Sequence, residues 1–413
     1  MADTEKGVWD LQDVRDKQLA SEWSYDGATA ISFFGDNETG VLGQNSTTQY
    51  SSPVLCPNLT RMWRCDNGAF ASKNYDASTG GYDLWAWGQS SSGSLGLNAH
   101  SFWNGSTYAN SLSSPIQVGS EQNYKFVMQS ANKTSLAIKT DGSLWSWGNN
   151  AYGMMGQNAP ENPGRRSSPT QVGTDTTWGS ESGKFTGTSN NVWNIKTDGS
   201  LWGWGRNVYG SLGLNQGPPW NTGKSSPTQI GTDTTWLSVS DTGGSMSYFQ
   251  KTDGTLWAWG YGQSGQILQP DKNSYSSPKQ IPGDWTGTYI DGDNYVTHVI
   301  KTDGTLWGWG GGPSSHGMLG KNNMVQYSSP VQIGTDDNWA PASSPDTQRP
   351  ISHGGDSVLA RKTDGTVWSW GRGQQGRGDR NETVSRSSPV QMPGTSFNST
   401  EMNSGYGTVS KTL

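Results

Sequence analysis

Residues 139–158 read KTDGSLWSWGNNAYGMMGQN. The phrase returns in altered form at 196–215 (KTDGSLWGWGRNVYGSLGLN), 251–268 (KTDGTLWAWGYGQSGQIL), 301–312 (KTDGTLWGWGGG) and 362–376 (KTDGTVWSWGRGQQG). Thr-Asp-Gly between two short runs is a hairpin signal, because Asp and Gly tolerate the backbone angles of a tight turn. The heart of the phrase, Trp-x-Trp-Gly, starts at Trp85, Trp145, Trp202, Trp257, Trp307 and Trp368, at intervals of 50 to 61 residues. A second marker, Ser-Ser-Pro, closes each unit with Pro53, Pro115, Pro169, Pro227, Pro278, Pro330 and Pro389. The first Ser-Ser-Pro needs its own upstream partner. ISFFGDNETGVLGQN, from Ile31, supplies it, with Phe33, Phe34 and Gly35 replacing the tryptophan phrase. Seven units result.

Each unit reads as about four strands, a number that favours a propeller over a solenoid at this repeat length. The hairpin is followed by a Gly-rich loop, the Ser-Ser-Pro strand, and a further strand that opens on Trp178, Trp236 or Trp339 in three units. The chain ends are complementary. GYGTVSKTL at 405–413 matches the first half of the hairpin and ISFFG matches the second, so the last strand is expected to pair with the first. The predicted fold is all-β: a seven-bladed β-propeller over residues 28–413, closed by its N- and C-terminal strands, with a short N-terminal extension over 1–27. In LWGWG, Trp202 and Trp204 share one face while Leu201, Gly203 and Gly205 share the other. The tryptophan face of one blade is expected to pack on the small-residue face of its neighbour, each ring burying roughly 150–250 Å².

The 413 residues carry a net charge of −6 and no basic run, which argues against nucleic acid as a partner. Cys56 and Cys65 are too few for a disulfide framework or a four-cysteine zinc site, and a single bridge between them stays open. No apolar run approaches the length of a membrane span, so membrane insertion is not expected.

The apolar strand, Asp-Gly turn, aromatic-x-Trp-Gly strand and Gly-x-Leu-Gly loop of IKTDGSLWGWGRNVYGSLGLN resemble the regulator-of-chromosome-condensation repeat. That resemblance covers about residues 28–413. It implies a seven-bladed ring with strand exchange at its closure, and protein binding through blade loops. The Gly-Trp-Arg-His-Thr motif of the plant photoreceptor with this repeat is absent. Residues 7–23, GVWDLQDVRDKQLASEW, are similar to short openings of structural proteins in marine tailed bacteriophages. They are helix-compatible, with Leu11, Val14 and Leu19 partly on one face.

Nothing in the sequence marks an enzyme, and no catalytic, cofactor-binding or metal residue is predicted. GYGQSG from Gly260 and GRGQQG from Gly371 fit a dinucleotide fingerprint, but the repeat places no helix after them. DGDN at 291–294 lacks the glutamate that completes a calcium loop. His100, His298, His316 and His353 fall at unrelated repeat positions. The long loops before Ser-Ser-Pro vary most and carry Phe102, Trp103, Tyr108, Arg165, Arg166 and Trp220, residue types enriched in binding hot spots. Two readings follow. In the first, the chain is a phage virion structural protein, assembled in the host cytoplasm. Trp9, Leu11 and Val14 would anchor it to other virion proteins, and the loops would face a host surface protein or glycan. In the second, it is a soluble adaptor or inhibitor that grips a protein with one propeller face.

Overall fold

A computed structural model describes residues 29–412 except 36, 38, 49, 57–58, 60, 64–67, 99–110, 131, 160–163, 182, 189, 217–222, 241–245, 264, 266, 269–272, 293–294, 312–314, 342–349, 355, 373–384, 393–396 and 403–406. For the strands at the two chain ends it describes the backbone. The chain folds as an all-β propeller of antiparallel sheets.

Six blades are each built around one Trp-x-Trp-Gly strand. Blade 1 holds Arg61–Trp63, Gly68–Ser72, Trp85–Gly88 and Leu112–Gln117. Blade 2 holds Tyr124–Gln129, Thr134–Lys139, Leu144–Gly148 and Arg166–Gln171, and the hairpin Tyr75–Asp76/Gly81–Tyr82 extends its inner edge. Blades 3 to 6 repeat the plan with Trp-bearing strands Leu201–Gly205, Leu256–Gly260, Leu306–Gly310 and Val367–Gly371. The unit around Phe33 departs from the expectation of seven equivalent blades. It has no hairpin partner in its own stretch of chain, so Thr29–Gly35 and Tyr50–Cys56 share a sheet with Phe397–Met402 and Gly407–Thr412. In that terminal sheet Thr29–Gly35 pairs antiparallel with Gly407–Thr412, from Thr29 opposite Thr412 to Phe33 opposite Thr408.

The first strand of one blade touches the first strand of the next, as Tyr124–Gln129 does Phe185–Gly187, which puts these strands innermost. Apolar clusters lie between blades. Leu201, Ile230 and Trp193 of blade 3 pack with Trp236, Phe249 and Trp259 of blade 4. Leu144 and Met154 of blade 2 likewise pack with Trp204 of blade 3. The second tryptophan of each phrase is almost wholly buried, whereas the first is half-buried.

The seams are latched by the two sequence markers together. The second tryptophan donates its indole N–H to a backbone carbonyl in the preceding loop: Trp87 to Val41, Trp147 to Ser94, Trp204 to Met154, Trp259 to Ser211 and Trp370 to Met318, at 2.5–2.9 Å. The first serine of Ser-Ser-Pro meets the same loop. The amides of Asn45, Asn98, Asn158, Asn215 and Asn322 donate to the carbonyls of Ser113, Ser167, Ser225, Ser276 and Ser387 at 2.6–2.8 Å. The contact explains one glycine in each loop. At Gly153 φ is +76°, and a Cβ there would lie 2.6 Å from Ser225 Cα, so no larger residue fits.

Trp204→Phe keeps the ring face but removes the indole donor and leaves the buried Met154 carbonyl unpaired. It should destabilise the protein by about 1–3 kcal/mol in urea denaturation. An unchanged midpoint would mean that the seam is held by apolar contact alone.

Candidate interaction surface on the loop face

Antiparallel pairing sorts the connections onto two faces. The Thr-Asp-Gly turns and the links between blades lie at one end of the strands, and the Gly-rich loops at the other.

On the turn face each repeat lysine lies over the first tryptophan of its phrase, 3.7–4.7 Å from the ring centre at Lys73, Lys139, Lys196, Lys251, Lys301 and Lys362. Several are also ion-paired, Lys196 with Asp175, Lys251 with Asp233 at 2.5 Å and Lys362 with Asp336 at 2.6 Å. Hydrogen bonds from Lys251 and Thr235 bring the Asp233 carboxyl down to about 2. The turn aspartates Asp141, Asp198, Asp253, Asp303 and Asp364 accept hydrogen bonds from the Ser or Thr two residues on, which in turn accepts the indole N–H of the first tryptophan. This face therefore consists of framework repeated blade after blade, with an acidic rim.

The loop face is where blades differ. The latch brings three positions together at the seams built on Gly40, Gly93, Gly153, Gly210 and Gly317: the residue before the loop glycine, the residue after Trp-x-Trp-Gly, and the residue before Ser-Ser-Pro. Gly153 abuts Ser225, Lys224 sits opposite Gly205, and Arg206 follows Gly205. Tyr152, Arg206 and Lys224 therefore form one corner. There the Arg206 guanidinium lies 4.5 Å from the Tyr152 ring centre. The next corner holds Tyr209, Tyr261 and Tyr275, with the rings of Tyr209 and Tyr261 5.0 Å apart. The preceding corner holds Ser92, Asn149 and Arg166. Tyr152 and Tyr209 adopt φ of +58° and +55°, a left-handed backbone that costs a non-glycine residue about 1 kcal/mol.

Of the residues expected from sequence to bind a partner, Arg165 and Arg166 are exposed on this face beside the Asn149 corner. Trp9, Leu11, Val14, Phe102, Trp103, Tyr108 and Trp220 lie outside the described residues, as does Cys65. Cys56 is a buried free thiol, pushed up to about 11 by burial. The corner residues escaped sequence reading because each is a single variable position inside an otherwise repeated phrase. Comparing units position by position exposes Tyr152, Arg206, Tyr209 and Tyr261.

The structure also joins residues that sequence reading left unrelated. His298 of Val296–Ile300 and His353 of Ile351–Gly354 stack across the seam of blades 5 and 6, Nδ1 to Nε2 2.8 Å apart. His298 Nε2 lies 3.3 Å from the Leu319 carbonyl, so it donates there and its Nδ1 accepts from His353. His353 Nδ1 faces Asp291 Oδ1 at 3.6 Å. His298 occupies the strand position of Phe70, Leu136, Trp193, Tyr248 and Leu359, and packs edge-on against Trp370. Its place in the repeat is a packing place. Among the described residues no group of three or more His, Cys, Asp or Glu side chains could hold a metal ion.

Burial, reinforced by His353, holds His298 well below its usual value of 6.5, so the folded protein keeps it neutral. The unfolded chain binds a proton there below about pH 6.5 and the folded chain does not. Stability is therefore full above that value and falls as pH drops towards about 5. His298→Leu, the residue type at 136 and 359, should flatten thermal melting points between pH 7 and 5; an unaltered slope would exonerate His298. Separately, Lys251→Met should return Asp233 towards the ordinary carboxylate range in a carboxyl-carbon NMR titration. An Asp233 that still titrates near 2 would mean that Thr235 alone holds it.

Comparison with known proteins agrees with this architecture. The repeat described as "Regulator of chromosome condensation (RCC1) repeat" matches residues 198–242, and a second profile of the same description matches 132–153. The Ultraviolet-B receptor UVR8 of Arabidopsis thaliana is 24% identical over 381 residues, 86% of this chain and 76% of that protein. The mitochondrial RCC1 domain-containing protein RUG3 of the same plant is 24% identical over 294 residues, and the match spans 61% of its length. Among solved structures, Prp20p of Saccharomyces cerevisiae superposes with a TM-score of 0.70 at 15% identity, covering 94% of this chain and 92% of that one. Human WBSCR16 gives 0.72 at 17%, covering 93% and 99%. The chain thus carries RCC1 repeats on an RCC1-like β-propeller.

Proposed function

We propose that the protein acts by binding another protein on the loop face of its propeller, and that the terminal sheet serves as the seventh blade of a closed ring. The observation that carries this reading is the run of Tyr and Arg residues at the corners of blades 2 to 4. These side chains vary from blade to blade on a backbone that is repeated: Ser92, Tyr152, Tyr209 and His316 share the same left-handed conformation, and two of the four are tyrosines. Tyrosine and arginine anchor protein interfaces because they combine large contact area with directional hydrogen bonding. The likenesses support the same direction. The Prp20p structure is described together with binding to Gsp1p and histones, and a second yeast RCC1 structure has Kap60 bound. Binding rather than catalysis also suits the buried histidines, which occupy a packing position. Placement in a virus particle rests on residues 7–23, outside the described chain, and no described residue adds to it.

The test is photo-crosslinking in lysate of the source organism, with p-benzoylphenylalanine at position 209 on the loop face or at position 253 on the turn face. Discrete protein adducts from 209, suppressed by excess unlabelled protein and absent from 253, are expected. Equal adducts from both faces, or none from 209, would overturn the reading.

A further inference from the structure

We infer that the loop face of blades 2 to 4 receives an acidic segment of its protein partner, which runs from two cationic corners onto a tyrosine platform. This deepens the protein-binding reading and rests on it.

Four cations line two consecutive corners, Arg165 and Arg166 where blades 1 and 2 meet and Arg206 and Lys224 where blades 2 and 3 meet. Arg165 and Arg166 are exposed at the start of the outer strand of blade 2. Arg206 and Lys224 flank Gly205 in blade 3. None of the four is ion-paired among the described residues. The corner at blade 6 behaves differently, because Asp356 lies 3.0 Å from Arg372 and neutralises it internally. Arg206 is held in place as well as unneutralised: its guanidinium lies over Tyr152 and bonds the Tyr152 hydroxyl at 3.4 Å. A planar guanidinium fixed by an aromatic face presents its remaining N–H donors in one direction, an arrangement suited to a carboxylate.

The platform is the neighbouring corner. Tyr209 is 37% exposed and leans on Tyr261, whose hydroxyl donates to Gln263 at 3.2 Å. Tyr275 completes the group, with Lys279 4.8 Å from its ring centre. The three corners belong to consecutive seams, so a segment crossing them meets cations first and aromatic faces second.

The placement of charge favours the same partner. Within a chain of net charge −6 the turn aspartates are ranged on the opposite face, so the cations at 165, 166, 206 and 224 make this patch the one that attracts an acidic segment at close range. A nucleic acid fits less well. Four cations neutralise few phosphates, and the acidic opposite face repels a polyanion that extends past the patch.

The experiment selects binders from a random 12-residue peptide library displayed on phage against the full chain, then measures the recovered peptides by fluorescence anisotropy. Enriched peptides should carry several Asp or Glu residues beside an apolar or aromatic one. The double variant Arg206→Glu/Lys224→Glu should weaken the best peptide about tenfold or more, and Tyr209→Ala should weaken it without changing its salt dependence. Arg165→Glu/Arg166→Glu provides a second charge reversal at exposed positions that no fold contact uses. Arg372→Glu, at the neutralised corner, should leave binding unchanged. Neutral or basic peptides, indifference to both reversals, or equal competition by a 12-mer of oligodeoxythymidine would overturn the inference. Adducts from position 209 combined with any of those outcomes would leave protein binding standing and remove only the acidic segment.

Discussion

The fold depends on one hydrogen bond, the indole N–H of the second tryptophan donated across the seam to a carbonyl of the preceding loop. A buried indole N–H and a buried loop carbonyl each lose a bond to water, and the indoles of Trp63, Trp178, Trp193, Trp236 and Trp339 bear that cost without a partner among the described residues. One contact answers both needs at Trp87, Trp147, Trp204, Trp259 and Trp370. It also explains why tryptophan is used where a phenylalanine would bury a comparable face. The bond fixes how far one blade is rotated against the next, and the remaining seam contacts follow from that rotation. The loop glycine must be bare because the neighbouring serine backbone arrives there, and the loop asparagine turns left-handed so that its amide reaches the serine carbonyl.

Much of this was legible in the sequence because the repeat samples the same geometry several times. Trp-x-Trp-Gly, Asp-Gly and Ser-Ser-Pro could be read as strand, turn and strand, and the half-units at the ends as partners. Which marker touches which could not be read. Ser225 belongs with Gly153 and Trp204 with Met154, and both pairings cross between blades, where spacing along the chain is silent. The Phe33 unit was counted as equal to the others because its motif order is intact. Its strands are nonetheless shared with residues 397–412, because Thr29–Gly35 takes Gly407–Thr412 as its hairpin partner. For the candidate site, Arg165 and Arg166 stand out in the sequence because they sit in a conspicuous long loop. Arg206, Tyr209 and Tyr261 were passed over as members of the repeated phrase.

The two faces divide the demands of stability and recognition. On the turn face each repeat lysine lies over a tryptophan and the turn aspartate is tied to the same strand through Ser or Thr, so substitutions there disturb the framework. On the loop face the framework is satisfied by backbone groups and glycine. The latch uses backbone groups at the corners, so one seam can present serine, asparagine and arginine and the next-but-one three tyrosines.

The seam between blades 4 and 5 shows how far the loop can vary. There Leu268 stands where other loops have their second glycine, and Gly265 approaches Ser328 less closely, with 3.2 Å for an added Cβ against 2.6 Å at Gly153. Trp309 donates its indole N–H to the Tyr248 hydroxyl at 2.9 Å, which shares a second bond with Thr297 and is pushed well above the ordinary phenol range by burial. A side-chain acceptor on the preceding blade thus serves the indole as backbone carbonyls do elsewhere. The six seams at which a second tryptophan stands share a buried indole bonded back across the seam, while the approach of loop to serine backbone varies around it.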